Sequence, residues 1–356
     1  MRKHRANASS LMPLFDQYLF QNIISIKRMS GGLNSRVYKI TCKNNKAFVA
    51  KIYPHHNGID HRDRFNISLS VLRYLNSQGL KQIPKLIKAD KKSRIILCEY
   101  LPGKKIPYKH ITSSDIEQII AFHIELQKIK EKVKFNKLPY ASEGFISINN
   151  AILSIRQRLT RLNELEKEGL LQPQVTTFIK KQLEPFYNKL NAWVKEKEEQ
   201  GIFSLKKHLP YEEMILSLSD FGFHNAVKST NNQWTFLDFE HCGWDDPCKM
   251  ISDFLLHPAM DLSTELKKYF FEQIISALPS DETFQERIKI VYPLCCLKWC
   301  FIFLNDFMPE HRIRRVFAQQ HNLTRVSSGY NQLLKAKKML AYVKKNYKTF
   351  PYDKYL

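Results

Sequence analysis

The first hundred residues carry short apolar runs in which hydrophobic and polar positions alternate, separated by turn-forming residues. A period of two predicts β-strands with one buried face. Five such strands are predicted, at 23–28, 37–42, 47–53, 84–89 and 94–100. Between 60 and 76 the apolar residues recur every three or four positions, which predicts one helix with Phe65, Leu69 and Leu72 on one face. This pattern predicts a small antiparallel sheet crossed by a single helix.

After residue 101 the spacing of apolar residues is helical almost throughout. Helices are predicted at about 112–130, 144–169 and 173–200, with about five more towards the C-terminus. The change falls at Leu101-Pro102-Gly103, where a strand runs into a Pro-Gly turn. A short amphipathic helix is also predicted at 8–22. The chain therefore divides into an N-terminal extension (1–21), a sheet lobe (22–101) and a helical lobe (102–356), an α+β fold.

Composition favours a globular chain with anionic partners. Of the 356 residues, 44% are hydrophobic and 12% aromatic, enough for a large core and too many for a disordered chain. The net charge of +22 favours nucleotides, phosphorylated substrates, nucleic acid or acidic lipid, and it disfavours polycationic substrates. The alternative interpretation of this charge is a basic solvated surface with no specific partner.

Cysteine usage and hydropathy predict a reducing, cytoplasmic setting. The seven cysteines form no C-x-x-C pair, and Cys295, Cys296 and Cys300 lie in an apolar stretch where they resemble buried hydrophobic residues. We expect neither a secretory signal nor a transmembrane segment, because no run of about 18 apolar residues is present. The oligomeric state stays open.

The segment 217–254 contains the most informative chemistry. Asp220 is followed five positions later by Asn225, and Asp238 ends the apolar run 234–237. In kinase-type phosphoryl transfer, one Asp accepts the proton of the attacking hydroxyl, and an Asn and a second Asp hold magnesium. This order predicts Asp220 as the base and Asn225 with Asp238 as metal ligands.

The tripeptide Asp220-Phe221-Gly222 spells the metal-binding signature of protein kinases, which suggests a different assignment. In that assignment an Asp-x-x-x-x-Asn loop must lie upstream, yet residues 206–214 contain neither Asp nor Asn. We therefore interpret the match of this tripeptide to the protein-kinase motif as coincidental. Asp238 stays the predicted metal ligand.

The sheet lobe carries candidate phosphate-binding residues. Gly31-Gly32 and Ser35 lie in a turn between two strands, where glycine amides can approach a phosphate closely. Lys51 ends the third strand, in the position of a nucleotide-binding lysine. The usual partner of such a lysine is a Glu on the crossing helix, but residues 54–98 contain no Glu and Ser68 occupies the expected position.

Together, the Gly-Gly hairpin, the Val-Ala-Lys strand, the Glu-Tyr-Leu-Pro-Gly hinge, the Asp220 loop and Asp238 resemble the aminoglycoside phosphotransferase/choline kinase-like family. The resemblance covers about residues 22–260. It implies a protein-kinase-like two-lobed fold, with ATP between the lobes and adenine against the hinge at Glu99 and Leu101. It also implies Mg²⁺ on Asn225 and Asp238, with Asp220 facing the substrate hydroxyl.

Two departures from the family pattern stand out. Ser68 replaces the helix Glu, and Leu218 replaces a His two positions before the loop Asp. Asp246 before Pro247 is a natural helix N-cap, so we interpret it as structural. Asp253, on the same predicted helix, is also interpreted as structural support for the catalytic loop. Whether Glu240 extends the metal shell stays open.

We expect an ATP-dependent phosphotransferase that acts on the hydroxyl of a neutral or anionic small molecule, such as a sugar or glycan precursor. One alternative is a catalytically decayed pseudokinase that binds nucleotide or acts as a scaffold. Another is a charge-driven nucleic-acid or membrane-surface binder, although no nucleic-acid reader motif is present. The acceptor and the preference for ATP or GTP stay open.

Overall fold

The computed structural model describes residues 15, 17, 23–29, 34–55, 62–132, 138–278, 283–318 and 325–356, without the side chains of 325–328. The helix predicted at 8–22 lies outside these residues apart from Phe15 and Gln17, which are both helical. The predicted phosphate-binding glycines Gly31 and Gly32 also lie outside them.

The sheet lobe has five antiparallel strands in the order β1-β2-β3-β5-β4. They are β1 (Ile23–Met29), β2 (Arg36–Cys42), β3 (Ala47–Ile52), β4 (Leu86–Asp90) and β5 (Ile95–Glu99). Helix α1 (Arg64–Ser77) joins β3 to β4, and its N-cap Asp63 accepts a hydrogen bond from Asn66 N at 3.2 Å. The predicted strands and the single helix are confirmed.

Strand β5 is buried on both faces because the sheet is covered on both sides. Residues 95–98 are all buried. Ile95 and Leu97 belong to the apolar cluster that contains Phe15, whereas Ile96 belongs to the cluster that contains the buried residues of α1. A strand enclosed in this way reads as a continuous apolar run, whereas β2 and β3 keep an alternating pattern with one buried face.

The remainder is mostly helical. The helices are α2 (Ser113–Lys130), α3 (Ile148–Lys167), α4 (Pro173–Phe178), α5 (Glu184–Glu199), α6 (Pro247–Leu256), α7 (Thr264–Ala277), α8 (Phe284–Phe303), α9 (Pro309–Ala318) and α10 (Arg325–Asn346). A single π-helical turn, Ile179–Leu183, joins α4 to α5. The helix predicted at 173–200 is therefore continuous, with one π-helical interruption.

Helix α8 forms the centre of this lobe. Together with the turn that follows it, Phe284–Phe307, it is long and apolar enough to cross a membrane, but 78% of its apolar window is buried inside the protein. Its cysteines Cys295, Cys296 and Cys300 are buried and free, as predicted from the apolar stretch around them. Their burial raises the pKa of each thiol, so these residues behave as small hydrophobic groups.

Two short hairpin-like sheets carry the segment predicted to hold the chemistry. Strand β6 (Ile215–Ser217) pairs with β9 (Gly243–Asp245), and β7 (Ala226–Lys228) pairs with β8 (Trp234–Phe236). Both pairs are antiparallel. The loop between β6 and β7 and the loop between β8 and β9 therefore emerge at neighbouring positions.

Helix α9 connects the two lobes on the side opposite the hinge. The Arg36 guanidinium of β2 donates to Phe317 O at 2.8 Å and lies over the Phe317 ring at 4.2 Å. Arg28 of β1 donates to Ala318 O. Both carbonyls belong to the last turn of α9, where free carbonyl oxygens and the helix dipole favour cations.

The close packing around Gly243 gives a testable prediction. A Cβ at this position would meet Pro139 O at 2.3 Å and Ala141 N at 2.5 Å, both backbone atoms that cannot move independently. We expect Gly243→Ala to lower the free energy of unfolding by about 1–3 kcal/mol or more, the usual range for overpacking. Urea unfolding monitored by circular dichroism measures this change.

The control is Gly201→Asn, at a site with φ +74° and no atom within 4 Å of the place where a Cβ would lie. Asn tolerates this backbone conformation, so the control should keep nearly wild-type stability. Equal stability of the two variants would show that the close packing at Gly243 carries no energetic weight.

Candidate active site

The loop between β6 and β7 is held in a sharp, irregular conformation. Ser219 has φ +63° and Gly222 has φ +150°. Asp220 N donates to Leu218 O at 2.8 Å, and Ser219 Oγ donates to Ser142 O at 3.0 Å. A non-glycine residue at positive φ is uncommon and persists only where its surroundings hold it. This conformation turns the Asp220 carboxylate into the cleft between the lobes.

The Asp220 carboxylate accepts three side-chain hydrogen bonds. His224 Nε2 and His257 Nε2 each lie 3.0 Å from Oδ1, and Asn225 Nδ2 lies 3.1 Å from Oδ2. The two imidazoles stack on each other with centroids 3.8 Å apart. Partial loss of water in the cleft raises the pKa of Asp220, but the hydrogen bonds from the two histidines outweigh this and hold it well below its usual range.

The cluster of Asp220, His224 and His257 has the composition of a metal site. However, Ala259 N donates to His257 Nδ1 at 3.2 Å, so Nδ1 carries a lone pair and Nε2 carries the proton. A histidine bound to metal through Nε2 needs the opposite arrangement, with the proton on Nδ1. We therefore interpret the cluster as a hydrogen-bonded support for the carboxylate.

The β7–β8 hairpin brings Asn225 and Asp238 together. Asn225 precedes β7, Asp238 follows β8, and Leu237 N donates to Asn225 O at 2.9 Å. Because Asn225 Nδ2 is directed to Asp220, its Oδ1 is left for another partner. A carboxylate and an amide oxygen are the hard ligands that Mg²⁺ prefers, so this pair fits the predicted metal.

Lys51 extends from β3 to the same place. Its Nζ donates to Leu237 O at 2.8 Å and lies 3.3 Å from Asp238 Oδ1. Burial lowers the pKa of Lys51, but the Asp238 carboxylate together with Tyr53 and Glu240 outweighs this, so the ammonium stays charged. In the opposite sense, burial raises the pKa of Asp238 and Lys51 limits the rise.

The helix Glu that normally pairs with this lysine is replaced by a different arrangement. Ser68 is buried and accepts a hydrogen bond from Tyr53 OH at 3.0 Å. One turn earlier on α1, Arg64 Nη1 lies 3.0 Å from Glu240 Oε1. The ion pair between α1 and the catalytic segment is therefore present with the cation on the helix. Glu240 is occupied by this contact and by Asn34 Nδ2 at 2.5 Å.

A buried ionic network supports the loop from behind. Lys249 is fully buried and lies 2.8 Å from Asp245 Oδ2 and 3.2 Å from Asp253 Oδ2. Its Nζ also donates to Ser219 Oγ at 3.1 Å. Asp246 caps α6 through Cys248 N at 2.8 Å, as the sequence indicates. Asp253 thus reaches the catalytic loop through Lys249, in agreement with its interpretation as structural support.

One cavity of about 1640 Å³ contains the whole constellation. Ser35, Glu99, Leu101, Asp220 and Asp238 all line it. Typical small-molecule sites have roughly 300–1,000 Å³. The cavity is therefore large enough for a nucleotide and a second molecule side by side.

Two site residues escape sequence reasoning. His257 lies 37 positions from Asp220, and no motif links them. Lys105 follows the hinge, lines the cavity and donates to His224 O, although it reads as an ordinary loop lysine. His224, which directly precedes Asn225, is a loop histidine hydrogen-bonded to Asp220.

A family model described as the phosphotransferase enzyme family matches residues 25–257, from β1 to the end of α6. This is more than half of the chain. The chain belongs to the phosphotransferase enzyme family. The match spans both lobes of the cleft, from the first strand to His257, and it confirms the resemblance to the aminoglycoside phosphotransferase and choline kinase-like proteins. No curated protein sequence matches the chain.

Solved structures are similar over nearly the whole length of this phosphotransferase. The choline kinase LicA from Streptococcus pneumoniae is 16% identical, with 93% of this chain and 99% of that chain covered and a TM-score of 0.60. The gentamicin complex of APH(2″)-IIa is 15% identical, with coverages of 98% and 100% and a TM-score of 0.61. Amicoumacin kinase in complex with AMP-PNP and Ca²⁺ is 12% identical, with 97% of both chains covered and a TM-score of 0.59. These structures confirm the predicted protein-kinase-like two-lobed fold.

The hydrogen bond from His257 to Asp220 can be tested by its contribution to stability. We expect His257→Phe to keep the packing against Trp299 but to remove one of the donors to Asp220. The free energy of unfolding at pH 7 should fall by about 1.5–3 kcal/mol, the range for hydrogen bonds to charged groups. Because folding lowers the pKa of Asp220, this contribution is present at neutral pH and is lost as the pH falls through the lowered value.

The matched control is His208→Phe, at an exposed position in the loop before β6. Urea unfolding of both variants at pH 7 measures the difference. Coincident unfolding midpoints would contradict a stabilising role for the bond between His257 and Asp220.

Proposed function

We propose that this phosphotransferase is an ATP-dependent small-molecule kinase that transfers the γ-phosphate to a hydroxyl group. The observation that carries the proposal is the convergence of Lys51, Asp220, Asn225 and Asp238 in one cleft. Three of these four residues meet through the hydrogen bonds of one hairpin and its loop. The fourth, Lys51, comes from the other lobe and spans the cleft.

In this proposal Asp220 orients the acceptor. The acceptor oxygen forms a bond to the γ-phosphorus, the bond to the bridging oxygen breaks, ADP leaves and the hydroxyl proton passes to the Asp220 carboxylate. His224 and His257 hold that carboxylate in one orientation, since both donate to the same oxygen at 3.0 Å. Positioning of this kind is the main contribution of the protein to phosphoryl transfer.

Lys51, Asn225 and Asp238 serve the nucleotide. Mg²⁺ bound with ATP would neutralise phosphate charge, and Asn225 and Asp238 would hold it. Ser35, Glu99 and Leu101 line the same cavity, and in this proposal Ser35 serves the phosphates while Glu99 and Leu101 serve the adenine. The complex of amicoumacin kinase with AMP-PNP and Ca²⁺ supports the use of a nucleotide and a divalent metal in this fold.

Lys105 adds a positive charge to the cavity that no sequence motif predicts. Burial lowers the pKa of its ammonium and Lys51 lowers it further, while Asp238 acts in the opposite direction. Lys51 and Lys105 repel each other beside a single carboxylate, Asp238. This arrangement favours a strongly anionic ligand such as a polyphosphate. This pair supports binding of a nucleotide over the alternative of a scaffold with no ligand.

The proposed role of Asp220 predicts a loss of rate without a loss of nucleotide binding. The substitution Asp220→Asn keeps the shape of the side chain but removes the proton acceptor. We expect ATP affinity close to that of the wild type and a rate of phosphoryl transfer lower by about 10²-fold or more, the usual effect of losing a general base. ADP release during turnover gives the rate, and calorimetry gives the affinity. A variant as fast as the wild type would exclude Asp220 as the base.

The proposed role of Asp238 predicts a loss of metal-dependent stabilisation. The substitution Asp238→Ala removes the carboxylate proposed to hold Mg²⁺ and the partner of Lys51. We expect Mg²⁺ with ATP to raise the melting temperature of the wild type and to leave that of the variant unchanged, because a ligand stabilises only the fold that binds it. The control is Asp90→Ala, at the end of β4 and outside the cavity. An undiminished shift in Asp238→Ala would place the metal elsewhere.

A further inference from the structure

Helix α9 is attached to both lobes of the cleft. Near its start, the Glu310 carboxylate accepts hydrogen bonds from Arg161 Nε at 3.1 Å and Arg161 Nη2 at 3.3 Å, and Arg161 belongs to α3 of the helical lobe. At its end, Phe317 O and Ala318 O accept hydrogen bonds from the sheet lobe. A helix is a rigid element, so one that is fixed in both lobes links their positions.

The attachment in the sheet lobe lies at the two ends of the β1–β2 turn. Arg28 is the last residue but one of β1, and Arg36 is the first residue of β2. Arg36 Nε donates to Phe317 O at 2.8 Å, and its guanidinium lies over the Phe317 ring at 4.2 Å. Arg28 donates to Ala318 O. Helix α9 therefore holds the hairpin whose turn contains the predicted phosphate-binding residues.

The C-terminal end of a helix is a favourable place for these cations. The carbonyl oxygens of the last turn have no partner within the helix, and the helix dipole adds partial negative charge there. Burial lowers the pKa of the Arg36 guanidinium, which nevertheless stays charged at physiological pH. Hydrogen bonds from a charged donor are about twice as strong as those between neutral groups, so this attachment is a strong one.

Arg36 stands between two residues that line the cavity. Ser35 directly precedes it and is buried, and Val37 directly follows it and is paired with Lys51 across β2 and β3. Successive side chains of a strand point to opposite faces, so Arg36 turns towards α9 while Val37 faces the cleft. A movement of Arg36 would therefore shift both Ser35 and the strand beside Lys51.

A second contact holds the same turn from the other side. Asn34 Nδ2 donates to Glu240 Oε1 at 2.5 Å, and Glu240 follows the proposed metal ligand Asp238 by two positions. Asn34 and Arg36 are the two neighbours of Ser35 in the chain. Ser35 is therefore placed relative to Asp238 by one contact to the metal segment and one to α9.

We propose that Arg36 is a positioning residue of the nucleotide site, which holds Ser35 and the β1–β2 turn against the nucleotide phosphates through its bond to the last turn of α9. In return, a nucleotide bound under that turn holds α9, which forms part of the cavity wall through Glu310 and Arg315. Such coupling is reciprocal because it is a free energy shared by two sites. The proposal rests on the proposed kinase function, since it takes the cavity to be a nucleotide site.

The first test measures the affinity of the full-length protein for AMP-PNP with Mg²⁺ by isothermal calorimetry. The substitution Arg36→Met keeps a long flexible side chain but removes the charge and every N–H donor. We expect it to weaken binding by about tenfold or more, the effect of losing one hydrogen bond from a charged group. Arg36→Gln should recover part of the affinity, because its amide N–H lies where the arginine Nε lies.

The matched control is Arg73→Met, at an exposed position on α1 in the same lobe, which should bind AMP-PNP like the wild type. Arg28→Met removes the neighbouring contact to α9 and should weaken binding in the same direction. This second variant keeps the test decisive if Arg36→Met folds poorly.

The second test measures amide hydrogen exchange of residues 309–318 by mass spectrometry, without nucleotide and with Mg²⁺ and AMP-PNP at saturation. We expect AMP-PNP to slow exchange at the end of α9 by about tenfold in the wild type and in Arg73→Met, and to slow it far less in Arg36→Met. A purely structural role of Arg36 would change exchange equally in both states, so the effect of nucleotide is the decisive quantity.

Two results would overturn the proposal while leaving the kinase intact. One is that Arg36→Met and Arg28→Met bind AMP-PNP as tightly as Arg73→Met. The other is that AMP-PNP binds to the wild type without changing exchange in α9. Failure of the wild type to bind AMP-PNP at all would instead refute the kinase proposal, and the role of Arg36 with it.

Discussion

The loop that carries the proposed base depends on a buried ammonium group. Lys249 is fully enclosed, and it is held by Asp245, Asp253 and the Ser219 hydroxyl. Burial raises the pKa of Asp245 to about 6, and the lysine limits that rise. Removing one partner from such a pair typically costs about 3–5 kcal/mol, because the other charge stays buried and uncompensated. The same network offsets the free-energy cost of burying the Lys249 charge. Because Ser219 belongs to it and directly precedes Asp220, the network also holds the proposed base in position.

The electrostatics of Asp220 favour orientation over basicity. Two histidines donate to one of its oxygens and hold its pKa well below the usual range. A carboxylate of this kind accepts a proton weakly, but its direction is tightly defined. Phosphoryl transfer needs little proton abstraction until late in the reaction, so a well-placed weak base suits the proposed kinase. The family histidine two positions before the loop Asp is replaced by Leu218. In this chain His224 and His257 support the loop by their hydrogen bonds to Asp220.

The lobes are joined by contacts that differ from the expected ion pair. With Ser68 bonded to Tyr53, the ion pair of α1 is formed by Arg64 with Glu240, two positions after Asp238. On the opposite side of the cleft, Arg36 holds the last turn of α9. Both contacts link the sheet lobe to elements that line the cavity.

The sequence by itself determined the secondary structure and the core of the site. Short apolar runs bounded by turn residues predicted β1–β5, and helical spacing predicted α1–α3, because both patterns depend on local periodicity and burial. The spacing of Asp220, Asn225 and Asp238 was also sufficient, since one hairpin joins them and its geometry is local. For the same reason the N-cap at Asp246 could be read directly from the Asp-Pro pair.

Only the tertiary structure decided which distant residues complete the site. His257 reaches Asp220 from the end of α6, and Arg314 enters the cavity because α9 crosses to the sheet lobe. The partners of Lys51 and Ser68 likewise depend on how β3 packs against α1 and the β8 segment. No sequence period records such contacts, because they arise from the packing of separate elements and from the need to pair each buried charge.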